Sequence, residues 1–117
     1  MATYIIEPSS TGPAERLAVM LQDLGHRLVF IRPHEGDAIP TDSSDIDALV
    51  IMGGPGSAAS DEPWIEATKV LVRTLDAAAM PVLGICLGAQ IVADALGGEV
   101  GPVDAGYQFG LGDIHLT

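Results

Sequence analysis

The apolar positions of this chain fall into two patterns that alternate along it. Short continuous runs of branched and aromatic residues predict β-strands that are covered on both faces. Longer stretches, in which apolar residues recur every three or four positions, predict amphipathic helices. The predicted strands are residues 3–6, 26–31, 46–52 and 81–85, and the predicted helices are residues 13–24, 63–79 and 89–96.

Strands that alternate with helices predict an α/β fold, because each helix returns the chain to the start of a parallel sheet. We therefore expect a flavodoxin-like fold, which is an open, mostly parallel sheet with helices on both faces. The strands that end at Met52 and Ile85 should be neighbours, and the loops after them should form the binding crevice. Two more short strands are predicted at residues 99–100 and 113–117, the second from its alternation of apolar and polar residues.

The first two predicted helices each have an apolar face that should pack on the sheet. Gly25 is the residue that stops the first helix. The apolar faces consist of Leu17, Met20, Leu21 and Leu24 in the first helix, and of Trp64, Thr68, Leu71, Leu75 and Ala79 in the second.

Length and charge limit the classes of function. The 117 residues suffice for one core, and we expect residues 1–117 to form a single domain. Sixteen acidic residues against five basic ones give a net charge of −11, so nucleic acids and anionic membranes should repel the protein. The longest uncharged run, residues 77–93, is too short to span a bilayer, and no N-terminal signal is visible. One cysteine cannot form an internal disulfide, so we expect a cytoplasmic protein.

The single cysteine, Cys86, falls where the pattern changes from strand to helix. Gly84 and Gly88 flank it and leave room for a sharp turn that holds the sulfur at the carboxyl end of the strand. This arrangement predicts a nucleophile elbow with a cysteine nucleophile. The N-terminus of the following helix favours the thiolate, which is the reactive form. The alternative is a buried cysteine that acts as a small apolar side chain.

Two motifs resemble those of one enzyme family. Residues 84–90, Gly-Ile-Cys-Leu-Gly-Ala-Gln, resemble the nucleophile motif of class I (triad-type) glutamine amidotransferases. Residues 52–57, Met-Gly-Gly-Pro-Gly-Ser, resemble the oxyanion-strand motif of the same family. Within this family, the chain resembles the glutaminase domains of guanosine monophosphate synthetases. The resemblance implies that the protein hydrolyses glutamine and passes the ammonia to a synthetase domain or subunit.

The resemblance also implies a role for particular residues. Cys86 attacks the side-chain amide of glutamine, and two N–H groups stabilise the oxyanion that forms. In elbow sites generally, the residue after the nucleophile supplies one of these groups, which is Leu87 here. By resemblance Gly54 supplies the other, and Gln90 and Gly56 contact the substrate. No cofactor and no metal ion are expected.

The chain departs from the family in its acid–base residues. A thiol nucleophile of this kind needs a histidine base and a group that orients it, and the family carries both in a His-x-Glu-like motif well after the elbow. Here only His115 follows Cys86, and no paired acid follows it. Gln108 stands where relatives carry the glutamate of a Glu-x-Gly segment. We therefore expect a C-terminally incomplete domain that is inactive alone and prone to self-association through apolar surface near its last strand.

Three alternatives remain from the residues alone. The chain can be a non-catalytic α/β module that binds a partner or a small amide. It can belong to the superfamily of peptidases and chaperones with a cysteine elbow, although the Gly-Gly-Pro motif at residues 53–55 is then unexplained. The glycine-rich loop at residues 52–57 also suits an anion site, but neither a G-x-G-x-x-G fingerprint nor a Walker lysine accompanies it.

Overall fold

The structure is a computed structural model that describes residues 2–102, 104, 106 and 110–116. Strands and helices alternate along the chain, as the hydrophobic pattern predicts. In chain order the elements are β1 (Ala2–Ile6), α1 (Glu15–Asp23), β2 (Leu28–Ile31), a 3₁₀ turn (Pro33–Glu35), β3 (Ile46–Ile51), α2 (Pro63–Ala77), β4 (Val82–Gly84) and α3 (Leu87–Ala95).

The strands form one parallel sheet in the order β2-β1-β3-β4. Ile5 of β1 lies opposite Phe30 of β2 on one side and Val50 of β3 on the other. Val50 in turn lies opposite Leu83 of β4. This is the strand order of a flavodoxin-like sheet, so the predicted fold class is confirmed. The prediction that the strands leading to Met52 and Cys86 are adjacent in the sheet is confirmed as well.

Helices cover both faces of the sheet. On one face α1 packs through Ala14 and Ala18 in a cluster with Ile5 and Val50. On the other face α2 and α3 pack in a larger cluster that includes Ile51. Neighbouring strand residues thus point to opposite faces and are buried by different helices, which explains why the strands are continuous apolar runs.

All three α-helices end in the same way. The residue just beyond each helix cap has a positive φ, and the next residue donates its N–H to a carbonyl five positions earlier, which defines a Schellman motif. Gly25 and Gly97 take this position after α1 and α3, with φ of 90° and 93°, so the prediction that Gly25 stops its helix is confirmed. After α2 the position belongs to Ala79, with φ of 57°. Ala79 is exposed beyond the end of α2, so its predicted place on the apolar face is wrong.

The predicted apolar face of α1 is also partly wrong. Met20 and Leu24 are 61% and 74% exposed. Ala14 and Ala18 face the sheet instead, together with half-buried Leu17 and Leu21. The small side chains of Ala14 and Ala18 let this side of α1 approach the sheet closely, so Met20 faces solvent. Leu24 lies beyond the last residue of the helix.

Neither of the two predicted C-terminal strands is present in the described residues. Glu99 and Val100 have no strand structure, although Val100 packs partly against the core. Residues 113–116 have none either, and Ile114 and Leu116 are 83% and 92% exposed. An alternating segment forms a strand only where a partner strand pairs with it, and residues 110–116 do not pair with β4. Thr117 lies outside the described residues.

Candidate active site

Cys86 connects β4 to α3 through a sharp turn. β4 ends at Gly84, and α3 begins at Leu87, directly after the cysteine. Cys86 has φ of 57° and ψ of −116°, a backbone conformation that L residues rarely adopt. Such a residue costs about 1–3 kcal/mol and persists only where the surrounding structure imposes it. The side chain of Cys86 is exposed, so the buried alternative is wrong.

The glycines on either side of Cys86 let α3 lie directly on the ends of the strands. A Cβ on Gly84 would stand 2.5 Å from the carbonyl oxygen of Gly88. A Cβ on Gly88 would overlap the carbonyl oxygen of Ile51 in β3. Neither glycine has a positive φ. The two glycines therefore provide space, and Cys86 itself takes the unusual backbone conformation.

The loop after β3 lies against Cys86. The N–H of Ile85 donates to the carbonyl oxygen of Ile51 at 2.9 Å, so the two strands leave the sheet side by side. A Cβ on Gly53 would stand 2.8 Å from the Cβ of Cys86 and 3.5 Å from its Sγ. A side chain at position 53 would therefore collide with the cysteine.

The two residues predicted to supply oxyanion donors lie in these adjacent loops. Gly54 follows Gly53, and a Cβ on it would stand 3.1 Å from the Cβ of Ser9. Leu87 is the first residue of α3, so its N–H has no acceptor within the helix, whereas its side chain is buried. The geometry is compatible with the predicted roles of Gly54 and Leu87, which stay predictions.

Gln90 lines a cleft one helical turn along α3 from Cys86, and Cys86 itself is not among the residues that line it. The N–H of Gln90 donates to the carbonyl oxygen of Cys86 at 3.2 Å, and its exposed side chain borders a cleft of about 660 Å³. Ser57, the neighbour of Gly56, lies on the same cleft, as does Val100. Gly56 is exposed, with φ of 109°. A cleft of this volume can hold a small ligand.

None of the three histidines is among the residues that line this cleft. His26 precedes β2, and its Nδ1 is 2.8 Å from Thr3 Oγ1, at the end of the sheet opposite to Cys86. His34 follows β2, which is separated from β4 by two strands, and its Nδ1 is 3.1 Å from the carbonyl oxygen of Glu7. His115 is exposed in the segment 110–116. Gln108 lies outside the described residues. In the part of the chain that the structure describes, no histidine hydrogen-bonds Cys86.

Two residues at the same edge of the sheet were missed in the sequence. Glu7 follows β1 directly and is only 4% exposed. Gly12, in the loop after it, contacts Gly53, since a Cβ on Gly12 would stand 2.8 Å from the Gly53 carbonyl oxygen. An acidic residue directly after a buried strand, at the carboxyl edge where sites form, was the signal that could have revealed Glu7.

The described residues contain neither a metal-binding group nor a membrane-spanning helix. No group of three or more histidine, cysteine, aspartate or glutamate side chains could hold a metal ion there. None of the described helices has the length and apolar character needed to cross a bilayer.

Comparison with known families gives one family match. The family described as "Glutamine amidotransferase class-I" matches residues 12–114. The match covers both of the motifs at residues 52–57 and 84–90, and most of the chain.

Individual relatives agree with this match. The chain is 39% identical over 87 residues to the glutamine amidotransferase-like protein chry6 of Gibberella zeae. This match covers 71% of this chain and 36% of the relative. It is 35% identical over 104 residues to the carbamoyl phosphate synthase small chain of Acinetobacter baylyi, covering 89% of this chain and 26% of the relative. The crystal structure of a glutamine amidotransferase from Methylobacillus flagellatus superimposes with a TM-score of 0.84 at 33% identity, over 88% of this chain and 41% of the other. The chain thus spans less than half the length of each relative.

Proposed function

This chain belongs to the class-I glutamine amidotransferase family, and we propose that it carries the nucleophile and the oxyanion donors of a glutaminase site. In this proposal Cys86 attacks the side-chain amide of glutamine. The observation that carries the proposal is the positive φ of Cys86 at the junction of β4 and α3, where the exposed thiol lies against Gly53. Because such a conformation costs free energy, its presence at an exposed nucleophile supports a nucleophile elbow.

The reaction begins when the Cys86 thiolate forms a bond to the amide carbon and an electron pair of the carbonyl group moves to its oxygen. The N–H groups of Gly54 and Leu87 stabilise the negative charge on that oxygen. The C–N bond then breaks, and the nitrogen takes up a proton and leaves as ammonia. The γ-glutamyl group stays on the sulfur as a thioester. Water attacks the thioester carbon, the C–S bond breaks, and glutamate and the thiol are released.

A base has to move two protons in the course of this reaction. It passes the thiol proton to the leaving nitrogen, and later passes a proton of the attacking water to the sulfur. His26 and His34 are hydrogen-bonded to other groups, and no acidic residue follows His115 within these 117 residues. We therefore place the base, and the acid that orients it, in a part of the full-length protein beyond these 117 residues.

The substrate site is proposed to be the cleft of about 660 Å³ that Ser57 and Gln90 line, one helical turn along α3 from Cys86. Glutamine is small enough for this volume, and its side-chain amide would lie at the Cys86 end. The Gln90 amide and the backbone at Gly56 would contact the α-amino and α-carboxylate groups.

The acceptor of the ammonia is proposed to be a synthetase domain or partner chain. One relative is named as the small chain of carbamoyl phosphate synthase, and a name of this kind denotes one chain of a larger enzyme. We further propose that the protein acts in the cytoplasm, because the single thiol must stay reduced to react. No nucleic acid is expected as a partner, given the net charge of −11.

The test is ammonia release from glutamine, measured for the protein made from its complete reading frame, for the 117-residue chain and for Cys86→Ala in both. We expect turnover in the complete protein, none in its Cys86→Ala variant, and a loss of about 10²–10⁴-fold in the short chain, which lacks the base. Turnover that survives Cys86→Ala would disprove the proposal. A complete protein without turnover would favour the non-catalytic module instead.

A further inference from the structure

Glu7 is a buried carboxylate whose two oxygens are both used. Its Oε1 accepts a hydrogen bond from Arg32 Nε at 2.8 Å. Its Oε2 accepts one from the backbone N–H of Ala14 at 2.7 Å, at the start of α1. The side chain of Glu7 is 5% exposed, so moving either partner would leave a buried charge poorly satisfied. Glu7 is therefore held firmly at the carboxyl end of β1.

These bonds tie together the two ends of one loop. The loop of residues 8–13 begins at Glu7 and ends at Ala14, whose N–H the Glu7 side chain binds. Inside the loop the Ser9 hydroxyl accepts a hydrogen bond from the Thr11 N–H at 3.1 Å and lies 2.8 Å from the Thr11 hydroxyl. The loop is thus closed by a buried carboxylate and braced within, which limits the positions that it can take.

The loop of residues 8–13 contacts the peptide group that joins Gly53 to Gly54. The Gly53 carbonyl oxygen faces Gly12, since a Cβ on Gly12 would stand 2.8 Å from it. Gly53 itself packs against Cys86. The described chain has no cis peptide bonds, and in a trans peptide the C=O and the next N–H point in opposite directions. The contact with Gly12 therefore turns the Gly54 N–H away from the loop.

We propose that Glu7 and Gly12 are positioning residues, which set the direction of the Gly54 N–H by fixing the Gly53 carbonyl. This rests on the proposed function, in which that N–H binds the oxyanion. Gly12 acts by having no Cβ, so that the loop can touch the carbonyl. Glu7 does not contact the Gly53 carbonyl itself, but holds the loop in place through its bonds to Ala14 and Arg32.

The decisive variant is Gly12→Ala, because Gly12 does not have a positive φ and an alanine there is not strained by its own backbone. Its only direct effect is to push on the Gly53 carbonyl. Gly112→Ala is the matched control, because a Cβ at that position meets nothing within 4 Å. Glu7→Ala and Glu7→Gln form the second pair, since glutamine keeps an acceptor for the Ala14 N–H.

The experiment measures kcat and KM for ammonia release, together with thermal unfolding, in the complete protein. For Gly12→Ala we expect kcat to fall by about 10²-fold, the cost of misplacing a catalytic group, while KM stays within about threefold. Glu7→Ala should lower kcat similarly, Glu7→Gln should recover part of it, and Gly112→Ala should match the wild type. A Gly12→Ala protein with wild-type kcat, or with kcat lowered only in proportion to its folded fraction, would overturn the inference. A wild-type protein without turnover would overturn the proposed function, and the inference with it.

Discussion

The backbone of Gly53 is in contact with Cys86, so closely that a Cβ on the glycine would stand 2.8 Å from the Cβ of the cysteine. This contact joins the loops that follow β3 and β4, although Gly53 and Cys86 are more than thirty positions apart in the sequence. Both backbones are fixed at their strands, because Ile51 lies opposite Gly84 in the parallel ladder. The contact leaves no room for a side chain at position 53.

Gly53→Ala should therefore lower both activity and stability. The added methyl group must displace either Cys86 or the loop, and overpacking of this kind costs about 1–3 kcal/mol. We expect kcat for ammonia release to fall by about 10²-fold as the thiol and the oxyanion donor move apart. Urea unfolding and steady-state kinetics check the two effects. Activity equal to that of the wild type would show that the loop is free to move aside.

Gly88→Ala tests the packing of α3 on the sheet. A Cβ at this position would overlap the Ile51 carbonyl oxygen, and the close approach is between two backbones that cannot rotate away. We expect the free energy of unfolding to fall by about 3 kcal/mol or more, measured by urea denaturation. The control Gly112→Ala, which meets open space, should change it by less than about 0.5 kcal/mol. Equal stability of the two variants would contradict the described position of α3.

Cys86 substitutions test whether the positive φ is strained. Cys86→Ala keeps a Cβ and its steric cost, whereas Cys86→Gly removes it. The glycine variant should therefore be more stable than the alanine variant by about 1 kcal/mol, although both should be inactive. Chemical denaturation of the two proteins under identical conditions gives the difference. An alanine variant as stable as the glycine variant would mean that the turn carries no strain.

Ala79→Gly should stabilise the protein. Ala79 has φ of 57° in the Schellman motif after α2, a position that the equivalent residues Gly25 and Gly97 fill without a Cβ. We expect a gain of about 0.5–1 kcal/mol in the free energy of unfolding, with unchanged kcat, because Ala79 is exposed and precedes β4, whereas Cys86 follows that strand. Ala77→Gly, at the last residue of α2, is the control and should lower stability. A loss of stability in Ala79→Gly would contradict the described end of α2.

The sequence predicted those features that depend on neighbouring residues. The apolar runs before Met52 and Cys86 indicated buried strands, and parallel strands joined by helices place their following loops at one edge of the sheet. Cys86 between Gly84 and Gly88 therefore indicated a turn at that edge. The residue with the positive φ could not be read from the motif, because glycines usually take that conformation and here they provide space instead.

Contacts between distant parts of the chain were not predictable in this way. Gly12 and Gly53 are far apart in sequence, and nothing in the composition of either loop indicates that they touch. The exposure of Met20 likewise depends on how α1 is rotated by the small residues beneath it. The alternating residues at 113–116 show the converse, since a pattern typical of a strand forms none where no partner strand pairs with it.

The central claim, that the Cys86 thiolate attacks the amide position of bound glutamine, is tested most directly by a glutamine analogue with an electrophilic diazoketone in place of the amide. The complete protein is incubated with the analogue, and the adduct is mapped by peptide mass spectrometry. Cys86 is the single cysteine of these 117 residues, so an adduct on a cysteine within them is unambiguous. We predict one adduct on Cys86 that excess glutamine suppresses and that forms more slowly in denatured protein. A Cys86 that remains unmodified, or that reacts at the same rate with and without glutamine, would contradict the account.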